Sequence, residues 1–231
     1  IRKAEVFIGY NHRGIEKLTT QRNYIQTISL VERTCGICSH SHAMNYCLTV
    51  EGIMGLKVPK RGQYLRVIVA ELERLHSHYL WLGIALHLIG HDSLFMHTWD
   101  HREKVMDMLE ELTGSRVNYG AVTIGGARRD ITAEQAADLN KMLKRLTDIL
   151  LNDKTVALRT QGVGILTTED AKRIGVVGPQ ARASNVPVDV RKDAPYSSYE
   201  DFDFNIAVWP SCDVFARVVI RVLENYESIK S

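Results

Sequence analysis

The chain has 231 residues, of which 45% are hydrophobic and 24% are charged, a composition typical of a globular protein that can bury a core. Its 29 Lys and Arg residues against 27 Asp and Glu residues give a net charge of +2, which argues against a nucleic-acid partner. Four cysteines are too few for a disulfide-stapled secreted fold, so we expect a reducing compartment. The most apolar run, residues 79–90, is too short to span a bilayer, so we expect no transmembrane segment.

The first half of the chain predicts one short strand and then helices. Residues 2–9 alternate well enough for a strand, and residues 20–31 have near-helical apolar spacing. After Gly36 a second helix begins at Cys38 or at Ser39, with Ser39 as a plausible N-cap, and runs to about Met54. The strongest helix signal covers residues 58–88, with Pro59 at the start, where its missing N–H costs nothing.

The second half predicts further helices with little strand. A capping box of Thr132 and Gln135 begins a long helix over residues 132–161. The other predicted elements are helices over 93–114 and 211–228, a loop over 178–198 and a short strand over 203–208. We therefore expect a single domain over residues 1–231 that is mainly α, a helical bundle with a few short peripheral β-strands.

The stretch ERTCGICSHSHA, residues 32–43, contains two thiols and two imidazoles: Cys35, Cys38, His40 and His42. A thiol at a helix N-terminus has a lowered pKa, and thiolates bind soft metals. His42 lies one helical turn beyond Cys38, where it can hydrogen-bond to a sulfur. Four interpretations stay open on these residues alone: a redox disulfide pair, which needs a preceding strand, a compact zinc site, half of a larger transition-metal site, or buried small side chains.

An ordered set of motifs surrounds this stretch. They are HRGIEK (12–17), RTCGIC (33–38), SHSHA (39–43), ELERLHSH (71–78), IGGARRDI (124–131) and GPQARAS (178–184). As a set they resemble the large subunit of nickel-iron hydrogenases, and most closely the membrane-bound, energy-converting Ech-type and Mbh-type group. That group is related to the 49 kDa subunit of respiratory complex I. The resemblance covers nearly the whole chain.

The resemblance implies a catalytic subunit for H2 ⇌ 2 H+ + 2 e− with a nickel-iron centre whose iron carries CO and CN ligands. Cys35 would be a terminal nickel ligand, Cys38 would bridge nickel and iron, and His42 would hydrogen-bond near the bridging sulfurs. Glu16 would relay protons, with a plain ion pair as its alternative role. Arg33 would balance charge at the site or form a salt bridge near Glu32.

The same resemblance implies several partners. Iron-sulfur clusters would lie in a partner small subunit, because this chain has too few cysteines to hold them. Ferredoxin would exchange electrons, and integral membrane subunits would move ions while this chain stays peripheral on the cytoplasmic face of the membrane. For His76 and His78 we expect packing and ion-pair roles, and for Cys47 and Cys212 those of buried small apolar groups.

The sequence also departs from the family pattern. The second cysteine pair, in a DPCxxC pattern, and the APRG segment do not occur in these 231 residues, and PSCD (210–213) offers one cysteine only. We therefore expect the chain to be the middle of a longer subunit, holding half of a metal site. The alternative is a metal-free complex I-like subunit with a structural or quinone-binding role, which the absent second pair favours and the pair Cys35 and Cys38 opposes.

Overall fold

A computed structural model describes residues 2–135, 137 and 147–230, and this part of the chain is mainly α-helical, as predicted. In chain order the helices are α1 (Ile15–Thr19), α2 (Tyr24–Glu32), α3 (Ser39–Met54), α4 (Lys60–Leu88), α5 (Asp92–Thr113), α6 (Thr147–Asn152), α7 (Lys154–Thr160), α8 (Thr168–Arg173), α9 (Gly178–Ala183), α10 (Val190–Asp193) and α11 (Val214–Lys230). A 3-10 turn covers Tyr199–Asp201. Within the described part of the chain, no helix combines the length and the apolarity that crossing a bilayer requires.

Helix α4 is the central element of the fold. It forms a helical hairpin with α5 and also packs against α3 and α11. The hairpin turns at Gly90, whose φ of 78° suits a residue without a side chain, and the His91 side chain caps α5 by accepting from Leu94 N. The main core lies between α4, α5 and α11 and includes Leu72, Leu75, Leu82, Val105, Leu109 and Val222. The broad apolar stripe of α4 therefore faces several helices at once.

A two-stranded antiparallel hairpin lies at one side of α3 and α4. Its strands are β1 (Val122–Thr123) and β2 (Gly126–Ala127), with Val122 opposite Ala127. Ile124 and Gly125 of the motif IGGARRDI form the tight turn of this hairpin, and Gly126 and Ala127 form β2. This hairpin is the small sheet that accompanies the helices.

Two predicted strands are wrong. Residues 2–9 form no strand, and Val6, Phe7 and Ile8 in this stretch are 83%, 76% and 95% exposed. Residues 203–208 also form no strand, and Asn205 N donates to the Glu227 carboxylate at 2.7 Å. Alternation shows only that a segment suits a sheet, and a strand also requires a neighbour to pair with.

The predicted capping box is confirmed, but the continuous helix over 132–161 is wrong. Thr132 N donates to Gln135 Oε1 at 2.9 Å, and Gln135 N donates to Thr132 Oγ1 at 3.2 Å. Residues 136 and 138–146 of this prediction lie outside the described residues. Farther on, Asp153 has an extended ψ of 120° and caps α7, accepting from Val156 N at 2.9 Å. An Asp side chain competes for backbone N–H groups and so separates α6 from α7.

The predicted loop over 178–198 contains the short helices α9 and α10. Pro179 lies in the first turn of α9, where proline is tolerated, and Asp189 caps α10 by accepting from Arg191 N. Buried charges fix this segment to the helices. Arg182 pairs with Glu224 of α11 at 2.5 Å, and Arg191 pairs with Glu71 of α4 at 3.0 Å.

Candidate metal centre

Residues 35–38 form a turn between α2 and α3, the cysteine turn. Helix α3 begins at Ser39, and its N-cap is Cys38 rather than Ser39 as predicted. Ser39 Oγ instead donates to the carbonyl of Val117 at 2.5 Å, which ties the start of α3 to the chain beyond α5. The segment before the pair is helix α2 and not a strand, so the context that a thioredoxin-like redox pair needs is absent here.

The turn wraps its backbone around the sulfur of Cys35. Cys35 Sγ accepts from Ile37 N at 3.3 Å and from Cys38 N at 3.4 Å. His42 follows one turn into α3, and its N donates to the Cys38 carbonyl at 3.2 Å. One ligand atom each of Cys35, Cys38 and His42 lies within 4.8 Å of the others, and all three residues are partly exposed. The structure therefore brings together three of the predicted site residues.

The two thiols differ in acidity. Burial acts to raise the pKa of Cys35, but the Cys38 thiol and the two backbone N–H donors outweigh it, so the pKa is lowered. Burial and the bond to the Cys35 sulfur raise the pKa of Cys38 to about 12. Without a metal, Cys35 is therefore the more readily ionised of the two thiols, and Cys38 keeps its proton. A bound cation would release that proton, because a coordinating thiol is deprotonated.

Two side chains of α4 form hydrogen bonds with the cysteine turn and the start of α3. The Glu73 carboxylate accepts from His40 N at 2.6 Å and from Ser41 N at 3.0 Å, and it also accepts from Ser41 Oγ at 2.5 Å. His76 Nε2 is 3.0 Å from the carbonyl oxygen of Ile37, which lies between the cysteines. The sequence predicted packing and ion-pair roles for His76, and it did not predict either of these contacts with the turn. The i, i+3 spacing of Glu73 and His76 predicts a shared helix face, but not what lies opposite it.

His40 does not belong to the thiol cluster. It is 1% exposed, and its Nε2 is 3.0 Å from the carbonyl oxygen of Arg66. Burial lowers the pKa of His40 to about 4, so the imidazole is neutral. The compact zinc site built from Cys35, Cys38, His40 and His42 is therefore wrong in its ligand set.

Among the described residues, neither Arg33 nor Glu16 forms a hydrogen bond with either cysteine sulfur. Arg33 caps α2, and its Nη1 donates to the Ser29 carbonyl at 2.7 Å. It lines a polar cavity of about 220 Å³ together with Glu32, Arg128 and Arg129. Glu16 is exposed in the first turn of α1, and among the described residues no contact joins it to either cysteine.

The donor set fits part of a soft metal's coordination sphere. Two thiolates and an imidazole suit nickel, iron or zinc, and they leave at least one position for ligands from elsewhere. Near the thiols, the Tyr119 hydroxyl is buried and has no hydrogen-bond partner among the described residues, and the same holds for Nε of Arg102, whose Nη2 contacts His76. Burial, followed by the charges of Glu73 and Glu32, raises the pKa of Tyr119, so this hydroxyl keeps its proton and remains a donor. Unused donors beside the thiols are compatible with a bound group that carries acceptors.

Two family profiles match parts of the chain that overlap at residues 89–93. The profile for nickel-dependent hydrogenases matches residues 13–93, which include the cysteine turn and all of α4. The profile for the 49 kDa subunit of respiratory-chain NADH dehydrogenase matches residues 89–231.

Individual relatives point to the same two groups. The chain is 41% identical over 98% of its length to the membrane-bound hydrogenase subunit alpha of Pyrococcus furiosus, and 40% identical over 98% to the carbon monoxide-induced hydrogenase of Rhodospirillum rubrum. It is 39% identical over its whole length to an NADH-quinone oxidoreductase subunit of Geotalea uraniireducens. It spans 56%, 65% and 61% of the length of these three relatives. The chain belongs to the family that joins the large subunits of nickel-dependent, energy-converting hydrogenases with the 49 kDa subunit of respiratory NADH dehydrogenase.

Proposed function

We propose that this chain is part of the catalytic large subunit of an energy-converting nickel-iron hydrogenase that interconverts H2 with 2 H+ and 2 e−. The observation that carries the proposal is the cluster of Cys35, Cys38 and His42, whose ligand atoms lie within 4.8 Å of one another. A quinone-binding module has no need of two thiols and an imidazole at this spacing. The match of the nickel-dependent hydrogenase profile to residues 13–93 supports the same assignment.

In this proposal Cys35 and Cys38 would hold a nickel-iron centre, Cys35 as a ligand of nickel and Cys38 as a ligand of both metals. When bound, the nickel-iron centre supplies heterolytic activation of H2. Cys38 Sγ would be the base that takes a proton. Glu16 passes that proton to solvent, His42 donates a hydrogen bond to a ligating sulfur, and Arg33 balances the charge of the site.

The proposed partners follow from the electrons and the relatives. Electrons leave through iron-sulfur clusters of a partner small subunit and reach ferredoxin. Integral membrane subunits hold this chain at the cytoplasmic face of the membrane and couple turnover to ion movement. Relatives described as membrane-bound hydrogenase subunit alpha and as formate hydrogenlyase subunit 5 support a subunit role in a larger complex.

The second candidate function is a metal-free, complex I-like subunit that binds quinone or transmits conformational change. The match of the 49 kDa profile to residues 89–231 and the relatives named as subunits of NADH-quinone oxidoreductase favour it. The two candidates differ at the cysteine turn, which only the hydrogenase uses.

Metal analysis of the complete polypeptide, purified anaerobically with its partner subunits, tests the proposal. We expect stoichiometric nickel and iron and H2-dependent reduction of a viologen dye. Cys35→Ser and Cys38→Ser should each lose the nickel and the activity, while Cys212→Ser should keep both. Protein without nickel and iron that binds quinone would favour the second candidate, and stoichiometric zinc would contradict both.

A further inference from the structure

One face of α4 makes hydrogen bonds to the backbone on both sides of Cys38. Glu73 and His76 are one helical turn apart, and they are 3% and 0% exposed. Their hydrogen-bond partners are mainly backbone groups of residues 37–41, which include Ile37 between the cysteines and the first residues of α3. Because these hydrogen bonds go to backbone groups, they fix the conformation of the loop independently of the loop's own side chains.

Glu73 supplies the cap that α3 lacks. The first amides of a helix have no partner within the helix, and the Cys38 side chain makes no cap bond. Glu73, on a different helix, accepts from the amides of His40 and Ser41 instead. A carboxylate at this end of the helix also complements the dipole of α3. Glu73 thereby fixes where α3 starts, and with it the relative placement of Cys38 and His42.

His76 fixes one peptide unit of the turn. Arg102 Nη2 is 3.4 Å from His76 Nδ1, and a guanidinium can only donate, so Nδ1 accepts and Nε2 carries the hydrogen. That Nε2–H donates to the carbonyl of Ile37. The N–H of the same peptide unit belongs to Cys38 and donates to Cys35 Sγ at 3.4 Å. Because the C=O and N–H of a trans peptide point in opposite directions, holding the oxygen on His76 keeps the N–H on the sulfur.

We propose that Glu73 and His76 are positioning residues for the metal site, which hold the Cys35–Cys38 turn in its ligating shape before a metal enters. This inference rests on the proposed function, since it requires the turn to bind a metal. Neither residue is a ligand in the cluster of Cys35, Cys38 and His42. Their effect passes through the backbone, as in other sites where outer groups orient the ligands.

Two amide replacements separate the two contacts of His76. In His76→Gln the side-chain amide nitrogen reaches the place of Nε2 and can donate to the Ile37 carbonyl, whereas in His76→Asn the amide reaches only the place of Nδ1, beside Arg102. A positioning role through Ile37 therefore predicts that Gln preserves metal binding and Asn impairs it. The matched control is His78→Asn, two residues along α4, because His78 is also buried and bonds to Glu224 rather than to the turn.

The test is a titration with Co2+ alone on the complete polypeptide with its partner subunits, prepared without metal at the cysteine turn. The thiolate-to-cobalt charge-transfer absorption is read as a difference spectrum, which removes the constant absorption of the partner's iron-sulfur clusters. We expect His76→Asn and Glu73→Ala to weaken Co2+ binding by about 10- to 100-fold. His76→Gln and His78→Asn should bind like the wild type, and far-UV circular dichroism should show all four variants folded.

The outcomes distinguish this inference from the proposed function. Wild-type protein that gives no thiolate-to-cobalt band would defeat the metal site itself and the positioning role with it. Normal Co2+ binding by both His76→Asn and Glu73→Ala would overturn the positioning role and leave the metal site standing. Equal weakening of Co2+ binding by His76→Asn and His78→Asn would show that His76 contributes only to general stability. That result would overturn its positioning role.

Discussion

Arg66 and Glu51 form a bidentate ion pair inside the protein, with Nη1 2.9 Å from Oε2 and Nη2 2.5 Å from Oε1. Their side chains are 1% and 5% exposed, and the pair joins α4 to α3. Both partners also hold the hairpin of β1 and β2. Arg66 Nε donates to the Gly126 carbonyl at 3.1 Å, and Glu51 Oε1 accepts from Gly125 N at 2.7 Å. Three elements beside the cysteine turn therefore depend on two charges.

Replacing Glu51 by Ala should destabilise the protein strongly, because it leaves the buried Arg66 charge without its partner. We expect a loss of about 3–5 kcal/mol in the free energy of unfolding, measured by urea denaturation. Asp130→Ala is the control, because it breaks the exposed pair with Arg61, whose side chains are 67% and 60% exposed. Similar small losses in the two variants would show that the buried pair does not hold the fold.

Gly83 allows α4 and α5 to approach closely. A Cβ built at Gly83 would collide with Trp99 Nε1 and would lie 2.5 Å from Trp99 Cδ1. Gly83→Ala should therefore destabilise the protein by about 1–3 kcal/mol through overpacking, measured by urea denaturation.

The matched glycine is Gly52, inside α3, where a Cβ would meet nothing within 4 Å. Gly52→Ala should stabilise the protein by about 0.4–1 kcal/mol, because alanine restricts the unfolded chain and favours helix. If the two alanine variants change stability in the same direction, the close packing of Gly83 on Trp99 is wrong.

The thiols of the metal-free protein should react unequally. Cys35 has a lowered pKa while Cys38 has a pKa raised to about 12, so iodoacetamide near pH 8 should modify Cys35 first. Peptide mass spectrometry after timed quenching measures the two rates. Cys47, buried and with its pKa raised to about 11 by burial, is the internal control and should stay unmodified. Faster labelling of Cys38 than of Cys35 would contradict the hydrogen bonds assigned to the Cys35 sulfur.

Local patterns predicted the helices well because their signals are local. The apolar stripe over 58–88 corresponds to α4 at Lys60–Leu88, and Gly114, with φ of 81°, ends α5 as expected. The strand predicted over residues 2–9 is wrong because a strand needs a partner elsewhere in the chain, and the alternation of apolar residues does not identify that partner. The break at Asp153 was missed because one capping side chain outweighed an otherwise helical composition.

The sequence predicted the cluster of Cys35, Cys38 and His42, but it did not predict the residues of α4 that hydrogen-bond to the cysteine turn. Cys35, Cys38 and His42 are close in sequence, and a helix begins between them, so their proximity follows from local structure. Glu73 lies 33 positions from His40, and His76 lies 39 from Ile37, so only the packing of α4 against the turn brings these groups together. A sequence pattern specifies a helix face, and tertiary structure decides what that face contacts.

The stability of the protein should fall in acid through Glu224. Burial acts to raise the pKa of this carboxyl, but hydrogen bonds and charges from His78, Arg74 and Arg182 outweigh it and hold the pKa well below the ordinary value of 4.5. Below about pH 4.5, Glu224 takes up a proton in the unfolded chain but not in the folded protein. The free energy of unfolding therefore decreases as the pH falls. The contribution is complete above that pH.

Glu224→Gln should remove this dependence and leave the neutral-pH protein less stable, because the charge of Arg182 loses one of its two buried carboxylate partners. Urea denaturation at several pH values below 4.5 should give a slope for the variant that is smaller by up to about 1.4 kcal/mol per pH unit, the value for one proton. Glu200→Gln, at an exposed position, should keep the wild-type slope. Parallel acid curves for the wild type and Glu224→Gln would show that Glu224 titrates alike in the folded and unfolded protein, against the ion-pair network described for it.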